Sequence, residues 1–485
     1  MTPGRASAAG ALAATCVSTC VVNANTSAVS ILLPAISEDV GAGTTTLQWA
    51  VTGYSLVGAA VIVTGGVLGD LVGRRRVFVS ALVLFIASCV LIALVDSGAG
   101  VIAGRALQGA AGSTLVACGL SLLSVATSGP ARLRAVSLWG AASAAGAAAG
   151  PLAGGALVGS TGWQGLFWID AAIAAACVPL TWRTVAESRD RNRPPGIDIA
   201  GMLLIAGALV PFVLALSKGP VWGWGSMATL GCFAVAAAAL AGFVAVERRT
   251  PVPLVDLRLL RNTVLVGATA VILIVAGTLN GLMYVMSLFF QDPAGLGMSP
   301  LQAGLATLPA AAGLVAVAPI VSPLATRLGA RTVVAAGFVL TTAGFVALVC
   351  QNTSWGYGSF VLPLAAIAVG MGLANGCASA AATASVPANE VGAASGISNM
   401  ARYVGAALLV AATATIYGTT TGAAGVPRAE AVVDGMVRSA LLMAIASALG
   451  IVLALCYGRH RPSRPDGADH VAAAAAVAHT VARPG

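Results

Sequence analysis

The chain has 485 residues, of which 58% are hydrophobic and only 8% charged. Soluble domains carry about 25% charged residues, so a water-soluble protein built on one hydrophobic core is excluded. The net charge of +9 does not point to nucleic acid, because most arginines sit in short loops between apolar runs and not on one basic face.

Fourteen apolar runs approach the roughly 20 residues that cross a bilayer as helix. They lie near 9–34, 47–69, 77–96, 99–125, 132–159, 163–183, 198–217, 226–246, 264–291, 301–325, 332–350, 357–386, 391–418 and 435–458. The runs are continuous and do not alternate, which leaves helices as the spanning solution. The first follows a single arginine, Arg5, and continues past Ser30, as a first spanning helix does and a cleavable signal does not. With both termini in the cytoplasm, only Lys218, Arg428 and Arg438 fall outside and only Arg105 and Arg402 in or near the membrane. The remainder of the 25 basic residues are then internal, which is the expected bias for a multi-pass cell-membrane protein. Trp163, Trp222, Trp224 and Trp355 take the outer loops. The nine cysteines form no C-x-x-C pair and read as small buried hydrophobes. The three histidines, His460, His470 and His479, all lie in the tail, so no metal site and no cofactor is expected in the membrane.

Thr15, Thr19, Asn23, Thr26 and Ser30 form a polar stripe at helical spacing in the first run. It faces either a water-filled cavity, the preferred reading, or partners on neighbouring helices. Between runs two and three comes Gly69-Asp70-Leu71-Val72-Gly73-Arg74-Arg75-Arg76. Glycines supply the tight turn, and three successive arginines cannot enter lipid. This G-D-x-x-G-R-R-R turn resembles the signature loop of the major facilitator superfamily of transporters. The resemblance implies that Gly69, Asp70, Gly73, Arg74, Arg75 and Arg76 act as a conformational latch, holding cytoplasmic helix ends together in the outward-open state.

Run four opens Gly104-Arg105-Ala106-Leu107-Gln108-Gly109. An arginine inside a spanning helix is costly and functional by default; the alternative is an arginine that snorkels to the surface. R-x-x-Q-G resembles a second superfamily motif, whose arginine takes part in proton coupling. In run five Gly146, Gly150 and Gly154 recur every four residues and share one face, where a neighbouring helix can approach closely. Pro151 permits a bend. Plain packing explains the spacing; with Gly155, the Gly-Pro pattern also resembles the motif of the antiporter branch of the superfamily. Leu33-Pro34 sets the register of run one, and there the acid usual in similar fourteen-span exporters is replaced by Asn25, which cannot take up a proton. Asp170, just inside run six from the outer side, is the substitute candidate for protonation, though its position favours a solvated, interfacial aspartate.

The segment from Glu187 to Asp198, with Pro194-Pro195, reads as a linker into runs seven and eight. On run nine Asn280, Met283, Tyr284 and Met286 offer a soft wall suited to varied organic ligands, with packing the alternative. Leu288-Phe289-Phe290-Gln291, Gly297 to Gly304, Leu308-Pro309 and Gly396 to Arg402 together resemble the fourteen-span drug:proton antiporter subfamily. Ala325-Thr326-Arg327-Leu328-Gly329-Ala330-Arg331-Thr332 echoes the first turn, with Thr326 in place of Asp70.

The expected fold is therefore all-α and polytopic, a major facilitator fold of two six-helix bundles (1–190 and 256–458) around an inserted helix pair (191–255), with a disordered tail at 459–485. A substrate cavity would draw on Asn23, Asn25, Gln108, Asn280, Tyr284 and Arg402. The expected function is export of small organic compounds, a drug or antibiotic, by proton antiport with alternating access. The partners would be a small-molecule substrate, protons and the lipid bilayer, with no nucleic acid, and the chain would act as a monomer. The rival is a facilitator for a specific metabolite without proton exchange. An enzyme is disfavoured by the lack of membrane histidines and paired carboxylates, and an ATP-driven pump because Lys218 has no Gly-rich phosphate loop.

Overall fold

A computed structural model describes residues 8–456 apart from 128, 190–195, 197, 252, 388–389 and 424. The Pro194-Pro195 part of the linker and the tail expected at 459–485 lie outside the described residues. The elements are α1 (Ala8–Val40), α2 (Thr44–Val72), α3 (Arg74–Leu94), α4 (Gly98–Ala126), α5 (Gly129–Thr161), α6 (Gln164–Thr184), α7 (Ile199–Trp222), α8 (Met227–Glu247), α9 (Thr263–Gln291), α10 (Pro300–Ala306), α11 (Leu308–Leu328), α12 (Ala330–Val349), α13 (Gly358–Ala384), α14 (Val391–Thr421) and α15 (Arg428–Cys456). Among the described residues, 14 helices are long and apolar enough to cross a membrane, with α10 and the start of α11 forming one of them. The break between these two falls at Thr307, before Pro309, whose missing N–H is harmless in a first helical turn.

The two halves share one packing plan. In the first, α1 packs on α4, α5 and α6, α2 on α4, and α3 on α4 and α6. In the second, α9 packs on α13, α14 and α15, α11 on α13, and α12 on α13 and α15. The turn echo is repeated in the backbone. Gly73 (φ 129°) and Gly329 (φ 83°) both hold left-handed conformations that favour glycine, and each N–H caps the preceding helix at the fourth carbonyl back. Arg75 donates to the Val185 carbonyl at the end of α6, and Arg331 donates to the Leu455 carbonyl near the end of α15. In each half the turn arginine thus sits where the last helix presents its negative end.

α1 differs from its expected length, running six residues past Pro34 to Val40. Proline has no N–H, so the carbonyl of Ser30 loses its intrahelical donor. Ser287 Oγ of α9 donates to that carbonyl at 2.5 Å, and Gln291 Nε2 donates to the Ile31 carbonyl at 3.1 Å. A helix irregularity in one half is therefore used to bind the other. Close approaches between the halves continue where Gly155 meets the Pro300–Leu301 backbone, Gly304 meets the Pro151 backbone and Gly418 lies against Thr45. All lie towards the end of the bundle opposite the Gly69–Arg76 turn. α7 packs on α8 and on both α2 and α14, with Gln48 Nε2 donating to Ser217 Oγ at 3.0 Å.

Candidate functional site

Three polar side chains from three helices meet in the first half. Arg105 (α4) is fully buried and so does not snorkel. Its Nη1 donates to Asn25 Oδ1 (α1) at 2.5 Å, and Asn25 Nδ2 donates to Asp170 Oδ2 (α6) at 2.7 Å. The amide orientation is dictated by its neighbours. Arginine can only donate and a carboxylate can only accept, so the Asn25 oxygen must face Arg105 and its nitrogen Asp170. Asp170 is 4% exposed, which corrects the expectation of a solvated, interfacial aspartate. Its position near the start of α6 is interfacial by sequence, but α1 and α3 pack over it.

The remaining contacts of Arg105 fix its guanidinium. Nε donates to the Ala50 carbonyl at 3.1 Å, and Nη1 also donates to Gln108 Oε1. Gln108 in turn donates to Cys89 Sγ at 3.0 Å. The spacing R-x-x-Q thus makes a contact along one face of α4. Above the guanidinium carbon, the Tyr54 ring of α2 lies at 4.4 Å, a cation–π distance. Tyr54 also meets Tyr403 of α14, ring centroids 6.3 Å apart. The buried charge is therefore one aromatic ring away from the other half. Among the described residues, Arg105 Nη2 has no partner and is shut off from solvent. A buried donor without an acceptor is costly, so Nη2 is free to take an acceptor that the site admits.

The proposed cavity residues divide into two groups. Asn23, Asn280 and Arg402 are partly exposed, and Arg402 donates to Asn375 Oδ1 at 3.1 Å. Asn25, Gln108 and Tyr284 are closed off from solvent in this conformation, the first two inside the polar network and the third in the core. The polar stripe on α1 also departs from the preferred reading. Thr15 and Thr26 return their hydroxyls to carbonyls of α1 itself, Asn23 does the same with its amide, and Thr15, Thr19 and Ser30 are buried. Only Asn23 and Thr26 of the stripe are partly open.

The glycine face of α5 lies against α1. A Cβ on Gly146 would strike the Cys20 backbone, and one on Gly150 would strike Ser27 and the Ala24 backbone. Gly154 faces Ala28, whereas Gly155 turns to α10. The motif therefore joins α5 to α1 on one face and to the second half on another.

At the opposite end, Asp70 Oδ1 accepts from Arg74 Nε at 2.9 Å, within its own turn. Glu187, expected only as a linker residue, accepts from the Arg75 and Arg76 backbone N–H groups at 3.1 and 3.2 Å. It thereby satisfies open donors at the start of α3, where a carboxylate also opposes the positive end of the helix. Arg75 stacks on Trp182, 5.0 Å from the ring centroid. No local pattern around Glu187 carries this role; it arises because α6 returns beside α3.

A family model described as the Major Facilitator Superfamily matches residues 15–410 and 269–480. The tetracenomycin C resistance and export protein of Streptomyces glaucescens is 30% identical over 414 residues, covering 85% of this chain and 76% of that protein. The puromycin resistance protein pur8 of Streptomyces alboniger is 33% identical over 440 residues, covering 88% and 85%. Among solved structures, the POT family transporter PepTSo matches with a TM-score of 0.67 at 13% identity, over 93% of this chain and 99% of that one, a likeness of fold.

Proposed function

The chain belongs to the Major Facilitator Superfamily, and on that premise we propose that it exports small organic compounds of the drug or antibiotic class in exchange for protons. The similarity to resistance and export proteins supports the substrate class. The observation that carries the proton is the buried relay from Arg105 through Asn25 to Asp170. With Asp170 ionised, one positive and one negative group are joined by an amide dipole and the site is neutral as a whole. Protonation of Asp170 removes the counter-charge and leaves Arg105 alone in a closed site. An uncompensated buried charge costs several kcal/mol, and about 1.4 kcal/mol already shifts a two-state equilibrium tenfold. The proton therefore biases the helices that hold Arg105. Through Tyr54 and Tyr403 the bias reaches the α2–α14 contact between the halves.

In this reading both termini face the cytoplasm, and the monomer alternates by rocking of the two halves. The contacts of Ser287, Gln291 and Gly155 close the outer side, and the Gly69–Arg76 turn latches the inner side in the outward-open state. Asp70→Asn would loosen that turn by removing the charge that Arg74 binds. Substrate uptake into inverted vesicles is expected to fall at least tenfold with the protein still in the membrane; uptake at the original rate would end the latch assignment. The whole proposal is tested in a pump-deleted bacterial host expressing the chain. Resistance to a panel of hydrophobic antibiotics should rise and should be lost with a protonophore. Resistance that survives the protonophore would favour a facilitator without proton exchange.

A further inference from the structure

The inserted pair α7–α8 holds two acids that the transport reading does not use. Asp198 caps the start of α7, its Oδ1 accepting from the Gly201 N–H at 2.7 Å. Glu247 ends α8, its Oε2 accepting from the Val255 N–H at 3.2 Å. Both are buried, 8% and 4% exposed. Among the described residues, their second oxygens, Asp198 Oδ2 and Glu247 Oε1, are shut off from solvent with no donor to accept from. The two oxygens border the same small space beside Gly201. A Cβ built on Gly201 would collide with Asp198 Oδ2 and lie 2.8 Å from Glu247 Oε1, so a glycine leaves the room in which the two oxygens face one another.

Two facing carboxylates cannot bond, since each is an acceptor only. In a closed site their charges also repel without screening. Among the described residues, surrounding charges offer no relief. Arg248, Arg249 and Arg258 on the following segment are exposed, and Asp256 accepts from the Arg258 N–H. On the helices packed against α7, Asp70 is engaged by Arg74 and Arg402 by Asn375. One proton placed between Oδ2 and Oε1 satisfies both orphaned oxygens at once and halves the buried charge.

We propose that Asp198 and Glu247 form a second proton-binding site, a buried acid–carboxylate pair sharing one proton, separate from the Arg105–Asn25–Asp170 relay. The pair joins the segment entering α7 to the segment that leaves α8 for the second half, because Glu247 also holds Val255. It therefore fastens the inserted pair at the point where both of its connections converge. The bound proton belongs to the hairpin and does not take part in exchange with substrate.

Infrared spectroscopy of the full chain in lipid nanodiscs reads this directly through the carbonyl stretch of protonated carboxylic acids. Near neutral pH one such band per chain should vanish in Glu247→Gln and in Asp198→Asn, each of which supplies an amide donor in place of the proton and keeps the fold. Asp170→Asn should leave that band in place. Glu247→Ala, which supplies no donor, should lower the melting temperature relative to Glu247→Gln. Spectra unchanged by Glu247→Gln would overturn the proposal. So would a stabilisation by sodium or calcium chloride over choline chloride that disappears in Glu247→Gln, since a metal cation would then occupy the pair.

Discussion

Substrate-induced proton release is expected to disappear in Asp170→Asn, with the protein still folded and inserted. Asparagine has nearly the same shape, and its side-chain oxygen can still accept from Asn25 Nδ2, which now reaches Asp170 Oδ2 at 2.7 Å. What the substitution removes is the charge and the titratable proton. Arg105 then faces an all-neutral site while remaining fully buried. Breaking a buried charge pair from one side costs about 3–5 kcal/mol, enough to hold the transporter predominantly in one of its states. In proteoliposomes the variant should bind substrate but show no acceleration of transport by an imposed pH gradient. Asp170→Glu keeps the charge on a longer arm and should retain a reduced, gradient-dependent rate. Proton release at the original level in Asp170→Asn would move the coupling group elsewhere.

Most of the fold was legible because hydropathy and run length dictate spanning helices wherever water is absent. The Gly73 and Gly329 turns were legible as well, since a tight turn after a helix calls for glycine at a left-handed position. The site was legible only in its members. Arg105 announces itself as a charge in an apolar run, and Asn25 as a departure from a familiar pattern. Asp170 was legible as the substitute acid, but its buried, direct bond to Asn25 was not, because 145 residues separate the two and an acid near a helix start looks solvated. Tyr54 reads as one more core aromatic until α4 brings Arg105 beneath its ring. Pro34 served only to set a register, yet it frees the Ser30 carbonyl that Ser287 occupies. Each omission is a pairing between distant segments, which local periodicity does not encode.

The relay makes a stronger demand than loss of function, because position 25 lies between Arg105 and Asp170 and could carry the acid itself. Asn25→Asp alone places a second carboxylate against Asp170, 2.7 Å from its Oδ2 in the present contact, and directly beside the Arg105 donor. The two acids must share a proton, so the pair titrates in two macroscopic steps. The pH profile of transport should change from one step to two, with more protons released per substrate. The double variant Asn25→Asp/Asp170→Asn then returns the site to a single acid. Arg105 Nη1 would donate straight to the carboxylate at position 25, and the amide at position 170 would donate to its other oxygen, so both contacts of the relay keep a donor and an acceptor. The relay is preserved with its acid moved from α6 to α1. Proton-driven efflux, absent in Asp170→Asn, should therefore recover at least tenfold in the double variant. A double variant as inactive as Asp170→Asn would show that the position of the acid, and not its charge opposite Arg105, is what the transporter requires.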